Sequence, residues 1–488
     1  VSIELDWQIG AERIQERAIE SPEPRSQRVR RRKRLILFTM LLLFFIGASA
    51  LLALLRLKDV DNQLRQGLID TLQAELAALR AGDYGDFMLL QRSADDNWYI
   101  VQGERFQHYQ QLKMARALTL SGNVFDATVD GLRGRVVFEE VLDGVPHRAV
   151  WFYWRYSDGW RHVPSDYTFW GEPRAMRDGA VTVRYRQLDE DSARALLERA
   201  ARWWREGCRV LGNSACPALE LELVPNPALQ VAWDSAQPDR LFVPSPLARD
   251  DRLSLIDPLP HVVEDAVTAA LATRQVDLAS GGVRPRRNVD AAWLHQTLIE
   301  WLAATYTGRV DMSRLAFVQS LRDSYGDSAL AAVARALSAD SDISMVARAL
   351  GQPLELLSLD WRPFFQWRLE VERQLIVQND LESLQALWDM SDASTRTLFQ
   401  QRLSAFGQPN AQVLAAAITA AADGVPRAIV QVRAPIKLRR SSSVCAMALG
   451  SAAPPDQLRD LGESSLALFG TPLPTNRFLM PSKPFSTF

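Results

Sequence analysis

Residues 35–55, LILFTMLLLFFIGASALLALL, carry no charged side chain over 21 positions. As an α-helix rising about 1.5 Å per residue, such a run is roughly 30 Å long, the thickness of the hydrocarbon core of a bilayer. The run therefore predicts a transmembrane helix over residues 35–56, with lipid as the partner of residues 35–55. The basic run RVRRRKR at 28–34 stands immediately before it. Positive charge is retained on the cytoplasmic side, so residues 1–34 are expected to form a cytoplasmic tail and the rest of the chain to be exported. That makes a single-pass protein of the cell membrane with most of its mass extracytoplasmic. A removable signal peptide is the rival reading, and the length of the run favours a retained anchor.

The 488 residues, 47% of them apolar, are too many for one compact domain. A net charge of −2 argues against a nucleic-acid partner, which requires a broad basic surface. Only three cysteines are present, and no C-x-x-C pair occurs among them, which disfavours a thiolate metal site. Cys208 and Cys216 lie close together. In an exported domain they are either bridged or two separate thiols, and the sequence leaves both readings open.

After the anchor, DVDNQLRQGLIDTLQAELAALR at 59–80 has apolar residues at helical spacing, and GDYGDF at 82–87 breaks that helix. DATVDG, RVVFEEVLDG and HRAVWFYWRYSDGWRHV alternate in polarity between Gly and Asp turns, which predicts three antiparallel strands. A long helix followed by such a sheet, closing on GWRHVPSDYTFWG, resembles the cone-shaped α+β fold of the nuclear-transport-factor and ketosteroid-isomerase class over residues 59–171. In an isomerase of that class a carboxylate base faces proton donors in an apolar pocket. The sequence does not place such a constellation. Trp98, Trp151, Trp154, Trp160 and Trp170 read as core, and His108, His147 and His162 as surface or strand residues without an identifiable partner.

The character changes at residue 180. VTVRYR reads as a strand, followed by an amphipathic helix capped by Asp189 or Asp191, and LELELVPN and RLFVPSP read as further strands. Then comes LPHVVEDAVTAALATRQ and, about thirty residues on, WLHQTLIEWLAATYTG. In a zincin helix, H-E-x-x-H places two histidines on one face to hold Zn²⁺, with the Glu polarising water. Together with a helical tail containing Tyr325-Gly326, Leu350-Gly351 and Trp361, residues 180–368 resemble the gluzincin, or peptidase-MA-like, metalloproteases. The resemblance implies a thermolysin-like, mostly helical domain with a small N-terminal sheet. It aligns His261 with the first zinc ligand, Val262 with the catalytic Glu, Asp265 with the second His and Gln296 with the third ligand. Val cannot take a proton from water, so the comparison implies a pseudopeptidase with no catalytic residues and no metal. The alternative is an H-x-x-E-D site, with His261, Asp265 and Glu300 holding zinc and Glu264 as base. Without any function, His261 is a helix-start residue after Pro258 and Pro260. His295 is a solvated neighbour of the ligand position. Glu264 and Asp265 are carboxylates favoured by the positive end of a helix.

DGVPHRAVWFYW at 143–154 recurs as DGVPRAIVQVRA at 423–434, so residues 370–435 read as a partial second cone-fold domain. Residues 436–488 lack sustained periodicity and read as a disordered or altered-frame tail. The whole is an α+β multidomain chain. Its expected role is a membrane-anchored binding or scaffold protein that takes a protein, peptide or glycan ligand outside the membrane. The alternative is a divergent zinc metallopeptidase.

Overall fold

The computed structural model describes residues 25–213, 216–250, 252–283, 285, 290–309, 315–388, 393, 396–397, 399–400, 412–420, 426–433 and 466–468. Most of the expected cytoplasmic tail and of the segment after 435 lies outside these residues. The chain mixes helix and strand and divides into two compact units, Val1–Ser165 and Asp166–Phe488. The division falls before the DYTFWG stretch that the cone-fold comparison assigns to the first domain.

In the N-terminal unit the anchor and the helix expected over 59–80 are one element. Helix α1 runs unbroken from Arg25 to Ala81. It is long and apolar enough to cross a membrane. Its large apolar side chains between Leu35 and Leu55 are 48–71% exposed, with no protein packed on them. From Leu64 onward one face turns inward, and Leu68, Leu72, Leu76 and Leu79 are fully buried. These spacings of three and four place them on one stripe. The GDYGDF break is where α1 ends and a short helix α2 (Tyr84–Leu89) begins, with the Asp83 carboxylate accepting the Asp86 N–H at 3.0 Å. Helix α3 (Asn97–Ala115) follows.

This unit has four strands where three were expected: β1 (Val124–Asp130), β2 (Arg133–Leu142), β3 (Val145–Tyr156) and β4 (Gly159–Val163). The SDG within the third predicted strand is a turn between β3 and β4. Each strand pairs antiparallel with the next. Asp143 and Gly144 have φ of 52° and 77° and form the two-residue β2–β3 turn. A turn with both central residues at positive φ matches the twist of the strands, which is why Asp-Gly stands there. Trp151, Trp160 and Trp170 are buried as expected, whereas Trp154 is 48% exposed.

The C-terminal unit opens with a mixed sheet in the order β5-β6-β7-β9-β8: β5 (Pro173–Asp178), β6 (Val181–Arg186), β7 (Leu219–Val224), β8 (Ala232–Trp233) and β9 (Arg240–Pro244). The three central strands are parallel. Crossover helix α4 (Glu190–Val210) covers them, turning Ala193, Leu196, Ala200, Trp203 and Trp204 inward. Cys208 near its end is bridged to Cys216, with Cα atoms 5.8 Å apart. Closing so short a loop stabilises the fold by about 2–3 kcal/mol.

Helices then dominate: α5 (Pro246–Asp250), α6 (His261–Ala279), α7 (Asp290–Thr307), α8 (Ala316–Tyr325), α9 (Asp327–Ala336), α10 (Ser344–Leu350), α11 (Arg362–Val377) and α12 (Leu381–Ala386). Gly207 lets α4 approach α6 and α7, because a Cβ there would lie 2.1 Å from the Tyr306 hydroxyl and 2.4 Å from the Gln275 amide. Residues 426–433 of the repeat form a strand paired with the one before it, as its counterpart β3 does. Gln412–Ala420 pairs antiparallel with Pro426–Arg433, and Leu466–Leu468 adds a third strand. Val413 and Ile418 of this hairpin join the main core of the C-terminal unit.

Of the two residues expected to cap α4, Asp191 lies inside its first turn and Asp189 does something else. Asp189 precedes the helix but makes no capping bond. Its fully buried carboxylate accepts the Trp170 indole N–H at 2.9 Å and the Ser245 hydroxyl at 2.5 Å. Burial raises its pKa from 3.8 to about 7, and these two hydrogen bonds pull only partly the other way. The native state thus holds a proton that the unfolded chain releases, and stability falls as pH rises from about 4 to about 7. At about 1.4 kcal/mol per pH unit, the wild type should lose roughly 3 kcal/mol relative to Asp189→Asn between pH 5 and pH 8. Urea unfolding of both proteins at the two pH values measures this, and parallel pH dependences would contradict it.

Candidate functional site

The residues singled out by the zincin comparison lie at the start of α6 and along α7. His261 is the first residue of α6, directly after Pro260, with a side chain 66% exposed. Val262 is also exposed, at 66%. One turn on, Glu264 is buried and Asp265 is exposed. The helix start favours both carboxylates, but Glu264 is out of water and needs more than a dipole.

Two arginines supply it. Arg199, from the middle of α4, donates to Glu264 Oε1 at 2.9 Å and to Asp257 Oδ1 at 2.8 Å. Arg309, just beyond the end of α7, donates to Glu264 Oε2, to Asp265 Oδ1 at 2.6 Å and to His261 Nδ1 at 2.9 Å. An arginine can only donate, so His261 Nδ1 is the acceptor of that bond. The hydrogen bond to Asp265, and then those to Glu264, raise the pKa of Arg309 further above its ordinary range. His261, Glu264 and Asp265 therefore come together around a guanidinium group. Arg199 and Arg309 were not anticipated from the sequence. The available signal was a carboxylate on the inward face of α6, which demands a cation without saying which one.

The remaining candidates stand apart from this cluster. Gln296 and Glu300 are exposed on α7 and hydrogen-bonded to each other at 2.9 Å. His295 is largely buried where a solvated side chain was expected, with Nε2 2.9 Å from Asp277 Oδ1. Among the described residues no three His, Cys, Asp or Glu side chains are grouped as metal ligands. His261 and Asp265 face Arg309 and Glu300 is not grouped with them, so this arrangement does not fit the metal. Each oxygen of Glu264 accepts from a guanidinium group.

A second buried polar cluster lies in the N-terminal unit, where the sequence reading found none. Glu75, on the inward face of α1, is fully buried. Its Oε1 lies 2.7 Å from both His162 Nδ1 and Gln91 Nε2, and its Oε2 accepts the Tyr153 hydroxyl at 3.0 Å. His162 is 2% exposed and stacks on Trp151, with ring centres 4.9 Å apart. The Tyr109 hydroxyl donates to buried Glu140 nearby on the sheet. Burial first, and then the Glu75 charge, push the Tyr153 pKa well above its ordinary value. His162 is thus a core residue with a carboxylate partner, not a surface one. The network joins helix to sheet through internal partners. Among the described residues of this cluster, Gln91 Oε1, the Gln102 amide and the Trp98 and Trp151 indole N–H groups are left for a buried water or a polar ligand atom to bond.

Comparison with protein families, curated proteins and solved structures finds no match to this chain.

The two-arginine arrangement predicts the behaviour of Glu264→Gln. The amide leaves two guanidinium groups facing a neutral side chain at a buried position, at a cost of about 2–4 kcal/mol. Denaturant unfolding of the variant should show that loss. Unchanged or increased stability, as expected for a catalytic carboxylate held open to solvent, would contradict the assignment.

Proposed function

We propose that the chain is a membrane-anchored protein whose extracytoplasmic part binds or scaffolds and does not cleave, a pseudopeptidase in the sense implied by its gluzincin-like motif. The observation that carries this reading is the pairing of Glu264 with Arg199 and Arg309. A general base works on a water molecule within hydrogen-bond reach, whereas Glu264 is buried with a guanidinium group facing each of its oxygens. Val262 at the family's base position and Gln296 at its third ligand position agree with it. The ligand class that suits such a protein is an extended peptide, a protein surface or a glycan outside the membrane. An extracytoplasmic location is supported by the apolar helix, by the basic run before it and by the Cys208–Cys216 bridge, a bond that persists in oxidising compartments.

The competing reading is a zinc peptidase built on His261, Asp265 and Glu300, with Glu264 as base. The detergent-solubilised full chain and its His261→Ala variant distinguish the two by elemental analysis and by incubation with an unstructured peptide mixture. Expected are no stoichiometric zinc and no cleavage in either protein. Stoichiometric zinc that disappears in the variant, together with cleavage by the wild type, would establish the competing reading.

A further inference from the structure

The continuity of α1 fixes which end of the N-terminal unit lies nearest the apolar run. Gly134, at the start of β2, packs on Leu68, since a Cβ added there would lie 2.9 Å from the Leu68 methyl groups. Gly67 meets Trp160 of β4. The opposite end of the sheet meets the far end of α1, because Gln73 donates to the Gly122 carbonyl at 2.7 Å and Arg80 to the Leu120 carbonyl at 2.9 Å. Thr119, beside Leu120, bridges Val141 near the end of β2. Strand β2 therefore runs away from the apolar segment, and its first turn, Gly131–Leu132, points back toward it.

Exposed apolar side chains stand at and beside that turn. Leu132 is 65% exposed and Trp154 48% exposed. They are neighbours, because Trp154 pairs with Arg133 and the Arg155 N–H donates to the Leu132 carbonyl at 2.8 Å. Arg155 and Arg65 are exposed at the same end. Distances along the helix decide whether this edge can reach lipid. From Leu55 to Leu68 α1 rises about 20 Å. The strand extends about 7 Å back from Gly134 to Leu132. The turn thus lies about 13 Å beyond the apolar run, and a headgroup layer of about 5–8 Å fills much of that gap. The length of a Trp side chain and an ordinary helix tilt of about 20° cover the remainder. Tryptophan beside arginine is the pairing that settles at a lipid interface, with the ring among the headgroups and the cation on phosphate.

We infer that Leu132, Trp154 and Arg155 form a second, peripheral contact with the bilayer that holds residues 35–55, seating the N-terminal unit on the membrane surface. The inference rests on the membrane-anchor reading, and its test separates the two. The full chain, with Cys445→Ala so that no unbridged cysteine remains, is reconstituted in vesicles of phosphatidylcholine and phosphatidylglycerol. A nitroxide is attached singly at Leu43→Cys, Leu132→Cys, Trp154→Cys or Met114→Cys. Met114 is 82% exposed at the far end of the unit, where neighbouring Lys113 donates to the Leu79 and Arg80 carbonyls. Collision rates with oxygen, which enters lipid, and with a water-soluble nickel chelate are then measured. Expected is lipid-like access at 43, aqueous access at 114, and several-fold less nickel access at 132 and 154 than at 114. Nickel access at 132 and 154 equal to that at 114, with 43 in lipid, overturns the peripheral contact alone. Free nickel access at 43 overturns the anchor, and the contact with it.

Discussion

A carboxylate removed from water at the start of α6 is the constraint around which the C-terminal unit is arranged. Glu264 is 5% exposed, and an isolated charge there would cost several kcal/mol. Arg199 reaches it from α4, and Arg309 from beyond α7. One side chain therefore ties three segments that are far apart in sequence. Arg199 also holds Asp257 before α6, and Arg309 holds Asp265 and His261 on its first turns. The residues that suggest a metal site are the ones this ion-pair network uses. Their types are explained by charge compensation.

Three of the six buried carboxylates among the described residues are accommodated in three different ways. Glu264 is matched by two cations. Glu75 is matched by a hydroxyl, an amide and an imidazole, which bind helix α1 to its sheet. Asp189 has only a hydroxyl and an indole N–H, which do not offset burial, and it holds its proton to near neutral pH. Only the first cluster overlaps the motif that suggested a peptidase.

Much of the architecture was legible because it is local. The apolar run, the helical stripe after it, the alternating strands and the Asp-Gly turn each declare themselves within a dozen residues. What the sequence concealed is separated along the chain. His162 meets Glu75 across 87 residues and Arg199 meets Glu264 across 65, and no periodicity reports such a meeting. Asp189 stands where a helix cap belongs and is diverted by Trp170 and Ser245, a tertiary effect overriding a local preference. Trp154 reads as core by type and lies exposed, because alternation fixes its face only once the register is known. The motif at 261–265 was legible in letters and not in role, since its meaning depends on the arginines that face it.

The central claim is that Glu264 and Arg309 act as an ion pair and not as parts of an open site. A double-mutant cycle over Glu264→Gln and Arg309→Met, read by denaturant unfolding of the full chain in detergent, measures that pairing directly. The account predicts a coupling energy of about 1–2 kcal/mol, as for a buried carboxylate in contact with a partly exposed guanidinium group. A coupling near zero, with the two substitutions acting independently, would contradict it and return Glu264 to the list of groups free for chemistry.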